Sequence, residues 1–246
     1  MKYRLGAANW LVSKLGFSVH GVWSSLENLI TIILTGFFRL LYNEFAWTYN
    51  LVANIVSLGM WYRWVDTALP FLDNGPVLEL GFGTGRLLKE LRDKGIKAVG
   101  IDKSRQMVSL AMKSVSRKDE TPLLVNGDAQ YLPFRSNSIS NVVSTFPSEY
   151  ILNRSTILEM FRVLSPGGRI VIIPTAWITG KSVPYVLAAR LFQITHQSPD
   201  GKREVESAIT HFTRLLQEEG FSATERIIDL PHSKVLCILA EKPLAN

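Results

Sequence analysis

From residue 75 onward, short apolar runs alternate with stretches of helical period, the pattern of a parallel sheet flanked by helices. The predicted strands are Val77–Leu80, Ala98–Ile101, Leu123–Asn126, Ile139–Ser144 and Arg169–Ile173. Between them, Arg86–Lys94, Arg105–Ser114 and Thr156–Leu164 carry apolar residues at helical spacing. Ser165-Pro166-Gly167-Gly168 then ends a helix and turns the chain into a strand, since proline cannot continue a helix and glycine tolerates positive φ. After an insertion at 175–199, a helix over Val205–Glu219 stops at Gly220. Two more runs, Ala223–Leu230 and Lys234–Ala240, meet at a hairpin turn, Pro231-His232-Ser233, and complete an α/β set of seven strands.

Residues 1–65 have another character. They hold Trp10, Trp23, Trp47, Trp61 and Trp64, five of the six tryptophans, and their only acids are Glu27 and Glu44. With Lys2, Arg4, Lys14, Arg39 and Arg63 the segment carries a charge of +3, and a basic, aromatic, apolar leader suits a membrane interface. The most hydrophobic run, Asn28 to Phe38, is bounded by charges and is shorter than the roughly 20 residues a spanning helix needs. Thr48, Asn50, Asn54 and Ser57 interrupt the uncharged stretch Phe45 to Tyr62, as in a helix packed on protein. The leader thus reads either as helices covering the core or as an interfacial attachment, with a domain boundary expected between 65 and 66. No small-residue cleavage site closes an apolar segment near the start, so a secretory signal is not expected.

Composition narrows the classes. Hydrophobic residues make up 47% and charged residues 20%, ordinary globular values. The formal charge is +6, but its lysines and arginines are scattered among acids, which points away from nucleic acid. Cys237, the only cysteine, lies in the apolar run Val235-Leu236-Cys237-Ile238-Leu239; a disulfide framework or cysteine metal site is excluded, and a reduced, cytoplasmic setting fits.

The chemistry centres on Glu79-Leu80-Gly81-Phe82-Gly83-Thr84-Gly85. A cofactor at the carboxyl end of a parallel strand needs a tight turn without obstructing side chains, which Gly81, Gly83 and Gly85 supply. Asp102 ends the next strand, 17 residues beyond Gly85, where a carboxylate can accept from both hydroxyls of a ribose; capping the helix that starts near Ser104 is the alternative. These features fit a nicotinamide dehydrogenase or a methyltransferase. The spacing Gly-x-Gly-x-Gly departs from the Gly-x-Gly-x-x-Gly that seats a pyrophosphate. Glu79 suits the cationic end of S-adenosylmethionine, and a purely structural role in orienting the loop is the other reading.

Four segments in order resemble the class I S-adenosylmethionine-dependent methyltransferases: the glycine motif from Val77; Val99-Gly100-Ile101-Asp102-Lys103-Ser104; Gly127-Asp128-Ala129-Gln130-Tyr131-Leu132-Pro133-Phe134; and Arg162-Val163-Leu164-Ser165-Pro166-Gly167-Gly168. The resemblance covers roughly residues 70–242 and is strongest to the branch with quinone C-methyltransferases and phospholipid N-methyltransferases. It implies a Rossmann-like seven-stranded sheet with S-adenosyl-L-methionine as methyl donor. It also implies that the glycine loop approaches the methionine part, Asp102 holds the ribose, Met107 packs on the adenine, and Asp128 with the Ala129 amide reads the adenine edge. One departure is Asn141, where relatives often carry an acid.

Methyl transfer is an in-line displacement, so alignment supplies much of the acceleration and no dedicated base is required. Glu149 and Tyr150, at the expected mouth, and His196, in the insertion, are candidates for proton removal if the acceptor needs it. The insertion carries Trp177, Tyr185 and Phe192, which suggests an apolar wall and a hydrophobic or lipid-like acceptor. Tyr42 and Tyr49 are placed to help the leader close the site. The expected location is the cytoplasm, with peripheral attachment to the inner face of a membrane as the further reading. A nicotinamide oxidoreductase and a non-catalytic binding protein of the same fold are the alternatives.

Overall fold

The computed structural model describes residues 49–73, 75–116, 122–194 and 202–244. Contacts divide the chain into two compact units, Met1–Glu44 and Phe45–Asn246, and every described residue lies in the second. The expected roles of residues 1–44, of Tyr42 and of His196 fall outside the described residues.

The second unit is built on an eight-stranded sheet in the order β3-β2-β1-β4-β5-β8-β6, with β7 paired to β8. The strands are β1 Val77–Leu80, β2 Ala98–Asp102, β3 Leu123–Asn126, β4 Ile139–Thr145, β5 Leu164–Ile173, β6 Ala176–Ile178, β7 Ser222–Leu230 and β8 Ser233–Glu241. The first five are mutually parallel, and β8 runs antiparallel to β5, β6 and β7. The helices are α1 Tyr49–Val56, α2 Trp61–Asp66, α3 Arg86–Asp93, α4 Arg105–Val115, α5 Arg154–Val163, α6 Val183–Ile194 and α7 Lys202–Glu218. The chain leaves β1 for β2 and β3 on one side, then returns to β4 on the other. The carboxyl ends of β1 and β4 therefore flank the crevice where ligands of such sheets bind.

Burial explains the strand pattern. All four residues of β1 are buried, with Leu78 and Leu80 in the cluster on one face of the sheet and Val77 in the cluster on the other. A central strand covered on both faces reads as a continuous apolar run. Helix α3 buries Leu87, Leu88 and Leu91 at helical spacing. Ser104 caps α4 by accepting the Met107 N–H, and Asn153 caps α5 by accepting that of Ser155.

Three expectations need correction. The boundary expected at 65/66 cuts through a packed core: Ala53, Trp61, Trp64, Val65 and Ala68 share a buried cluster with Val77, Leu91, Val143 and Val171. Trp64 is fully buried and its Nε1–H donates to Ser233 Oγ at 2.9 Å, tying α2 to the start of β8. The segment 175–199 is not wholly an insertion, because Ala176, Trp177 and Ile178 form β6 on β8 beside β5. The expected seven strand positions are all filled; the eighth strand extends the fifth position along β8. Ser165-Pro166-Gly167-Gly168 is not a turn before the strand but lies inside β5, at a register shift against β4 where Gly167 takes φ +75°.

Cys237 is buried in β8 as expected, and burial pushes its thiol up to about 12. Asn141, also fully buried, exchanges hydrogen bonds with the backbone of Asp73 and pairs in register with Val77, at the amino end of the sheet away from the crevice.

Candidate active site

The three glycines after β1 all have positive φ, but for different reasons. Gly81 (φ +68°) lies under Tyr150, whose hydroxyl occupies the space a Cβ would need. Gly85 (φ +81°) lies against α4, where a Cβ would come within 2.7 Å of Val115 and 3.0 Å of Ala111. Gly83 (φ +55°) has nothing within 4 Å of that position. Open space beside a left-handed backbone is the cradle a ligand needs.

Asp102, at the end of β2, organises this loop. Its Oδ2 accepts the Gly83 N–H at 2.9 Å and its Oδ1 accepts the Ser104 N–H at 2.8 Å. Each carboxylate oxygen retains a lone pair for a further donor. Burial raises the Asp102 pKa against the lowering effect of both amides. The helix-cap alternative thus resolves into a division of labour: Ser104 caps α4 and Asp102 holds Ser104.

Glu79 is 2% exposed, and burial first, then the neighbouring Asp102 charge, hold its pKa well above the usual glutamate range. Its carboxyl receives the Leu88 N–H, a donor otherwise free in the first turn of α3. Its Oε2 is buried without a hydrogen-bond partner. Both readings of Glu79 therefore have support: it anchors the helix and leaves an unsatisfied acceptor. One buried and one half-buried acid with no ion pair among the described residues make a site electrostatically suited to a cation.

On the neighbouring edge, the Asn126 amide donates to the carbonyls of Asp102 and Lys103, joining the ends of β2 and β3. Asp128 accepts the Gln130 N–H at 3.0 Å and pairs with Lys103 at 2.8 Å, and the Lys103 bond holds its pKa below the usual range. Ala129 and Met107 are both buried to 9% exposure, one beyond β3 and one in the first turn of α4. Glu79, the glycines, Asp102, Met107, Asp128 and Ala129 thus all fall at or just beyond the carboxyl ends of β1, β2 and β3.

The segment after β4 forms the other wall. Ser144 Oγ and Tyr150 Oη lie 2.7 and 2.9 Å from the Leu80 carbonyl oxygen and 2.9 Å from each other. Glu149 is exposed. Phe146 takes φ +48°, unusual for a bulky residue, and its ring stacks on Trp61 with centroids 4.3 Å apart. Ser144 and Phe146 carry no sequence signal for these contacts, and Trp61, one of the leader tryptophans, packs on Phe146. A positive φ at phenylalanine and a contact to a backbone carbonyl leave no residue pattern to detect.

Comparisons with known proteins bear on the family and the fold. The profile of a family described as a methyltransferase domain matches residues 78–172. A demethylmenaquinone methyltransferase of Lactiplantibacillus plantarum is 30% identical over 206 residues, spanning 74% of this chain and 86% of that one. A candidate S-adenosyl-L-methionine-dependent methyltransferase of Methanococcus maripaludis has the same fold, with TM-score 0.58 at 18% identity over 82% of this chain and 93% of that one. So does phosphoethanolamine N-methyltransferase 2 of Haemonchus contortus, solved with S-adenosylhomocysteine, at TM-score 0.54 and 14% identity over 83% of this chain and 58% of that one. The chain belongs to the class I S-adenosylmethionine-dependent methyltransferases. Within that superfamily it is most like the quinone methyltransferase branch.

Proposed function

We propose that this enzyme methylates a small, hydrophobic, quinone-like acceptor. The observation that carries the reading is the 30% identity, across most of both chains, to a demethylmenaquinone methyltransferase.

In this reading Asp102 accepts from the ribose hydroxyls through the lone pairs its backbone donors leave. Gly83 lets the backbone approach the cofactor, and the unpaired Glu79 Oε2 faces the cationic methionine end. Met107 packs on the adenine, while Asp128 and the Ala129 N–H read its edge. S-adenosylmethionine supplies an electrophilic methyl on its sulfonium. The protein's part is alignment and exclusion of water. Glu149 is the candidate to take a proton at the rim, since the Tyr150 hydroxyl is engaged with Leu80 and Ser144.

Incubation with labelled cofactor and separate pools of reduced naphthoquinone, phospholipid, protein and RNA tests the acceptor. Label in the quinone is expected; label only in another pool overturns the proposal.

A second reading concerns location, and is favoured by α6. Val183, Val186 and Leu187 are 81%, 45% and 59% exposed along one side of the helix, and Ile55 on the adjacent α1 is 63% exposed. Residues 45–65 and 174–194 contain Arg63, Lys181 and Arg190 but no acid. Exposed apolar groups on segments that carry basic residues suit an anionic lipid surface. Among the described residues no helix is long and apolar enough to cross a membrane. Flotation of the full-length protein with anionic vesicles should be lost on Val183→Glu with Leu187→Glu; unchanged recovery would reject this surface.

A further inference from the structure

The Leu80–Gly81 peptide is where β1 becomes the glycine loop, and it is held from both ends. Its N–H donates to the Ile101 carbonyl at 2.8 Å, fixing it to β2. Its carbonyl meets Ser144 Oγ at 2.7 Å and Tyr150 Oη at 2.9 Å, one from the end of β4 and one from the segment beyond. The loop is thereby tied to both strands that flank β1, across the crevice itself. Leu80 is fully buried, and so is Ser144.

Three oxygens lie within hydrogen-bond distance of one another, but the two hydroxyls own only two protons. Either both donate to Leu80, or one donates to Leu80 and the other to its fellow hydroxyl. In both of these arrangements the Leu80 carbonyl receives at least one proton. Removing one hydroxyl leaves the other to donate; removing both takes both side-chain donors away from a buried carbonyl. The Tyr150 hydroxyl also fills the space above Gly81, so the same group that fixes the peptide forbids a side chain there.

We propose that Ser144 and Tyr150 are redundant positioning residues that clamp the Leu80–Gly81 peptide and so set the glycine loop for cofactor binding. This rests on the reading that residues 81–85 hold S-adenosylmethionine. Neither residue acts as a proton acceptor in this role, since each hydroxyl is engaged at the loop.

The test is calorimetric binding of S-adenosylmethionine to the full-length chain, with Ser144→Ala, Tyr150→Phe, the double variant and Asp102→Ala, alongside cofactor-free melting. Each single variant should raise Kd by less than about fivefold, and the double by about tenfold or more, beyond the product of the singles. Singles that multiply to the double would overturn the redundancy. A double variant with lowered melting temperature but unchanged Kd would show a purely structural contact and overturn the clamp. Should the double variant not fold, a single variant losing as much affinity as Asp102→Ala overturns the proposal, and two small losses support it. Unchanged Kd in Asp102→Ala would instead reject the cofactor site on which the clamp rests.

Discussion

The Trp61 ring lies on the Phe146 ring, centroids 4.3 Å apart and planes 28° apart, so a helix before the sheet is joined to the residue just after β4. Trp61 is 4% exposed, and its neighbour Trp64 is 0% exposed. Trp61→Ala should therefore cost about 3–5 kcal/mol. Denaturant unfolding of the full-length chain checks this. A cost near zero would mean that α2 is a detachable cover rather than part of the core.

Glu79 carries stability and binding in opposite directions. Its folded pKa is raised, chiefly by burial and then by Asp102, so its contribution to stability is complete below the usual glutamate range and is lost as pH rises through the raised value. Glu79→Gln should make the cofactor-free protein melt higher than wild type at pH 8, by roughly 2–4 °C per kcal/mol relieved, with the gap closing towards pH 4. The same variant should bind S-adenosylmethionine at least about tenfold more weakly if Oε2 faces its cationic end. Melting curves at several pH values and calorimetry measure the two effects separately.

Asp102→Asn tests the loop anchor with little change of volume. The Gly83 and Ser104 N–H groups each meet one oxygen of the carboxylate, and an amide can keep only one of those bonds without turning a donor towards another donor. A loss of cofactor affinity of about tenfold or more is expected. Affinity equal to wild type would remove Asp102 from the site.

Gly83 and Gly85 should respond differently to alanine, although both have positive φ. At Gly85 the new methyl meets Val115 and Ala111, so Gly85→Ala should lower the melting temperature strongly. At Gly83 the methyl enters open space, so the stability loss should be confined to about 1 kcal/mol of backbone strain while cofactor affinity falls. Equal melting temperatures for the two variants would contradict this division.

Much of the catalytic unit was legible from residue order. The bounds of β1 at Val77–Leu80 follow from an uninterrupted apolar run closed by glycine, and Asp102 follows from its place at the end of the next run. These signals are local: strand period, helix period and a turn that only glycine enters without strain. The family and its methyl donor follow from the same four segments.

Other features depended on residues far apart in the chain. Ala176-Trp177-Ile178 is too short to show a strand period, and only pairing with β8 makes it a strand. Trp61 and Trp64 suit a membrane interface as well as a core, and the packing of α2 on Val143, Ile173 and Phe146 chooses the core. The Tyr150 hydroxyl meets a carbonyl 70 residues earlier, a contact that no local pattern signals. By itself the sequence determined the sheet, the glycine turn and the acids at its strand ends, because backbone conformation and burial alternate over a few residues. Tertiary structure alone decided which side chains hold that turn, because a backbone carbonyl accepts from whatever donor the fold brings to it and has no residue type to announce the contact.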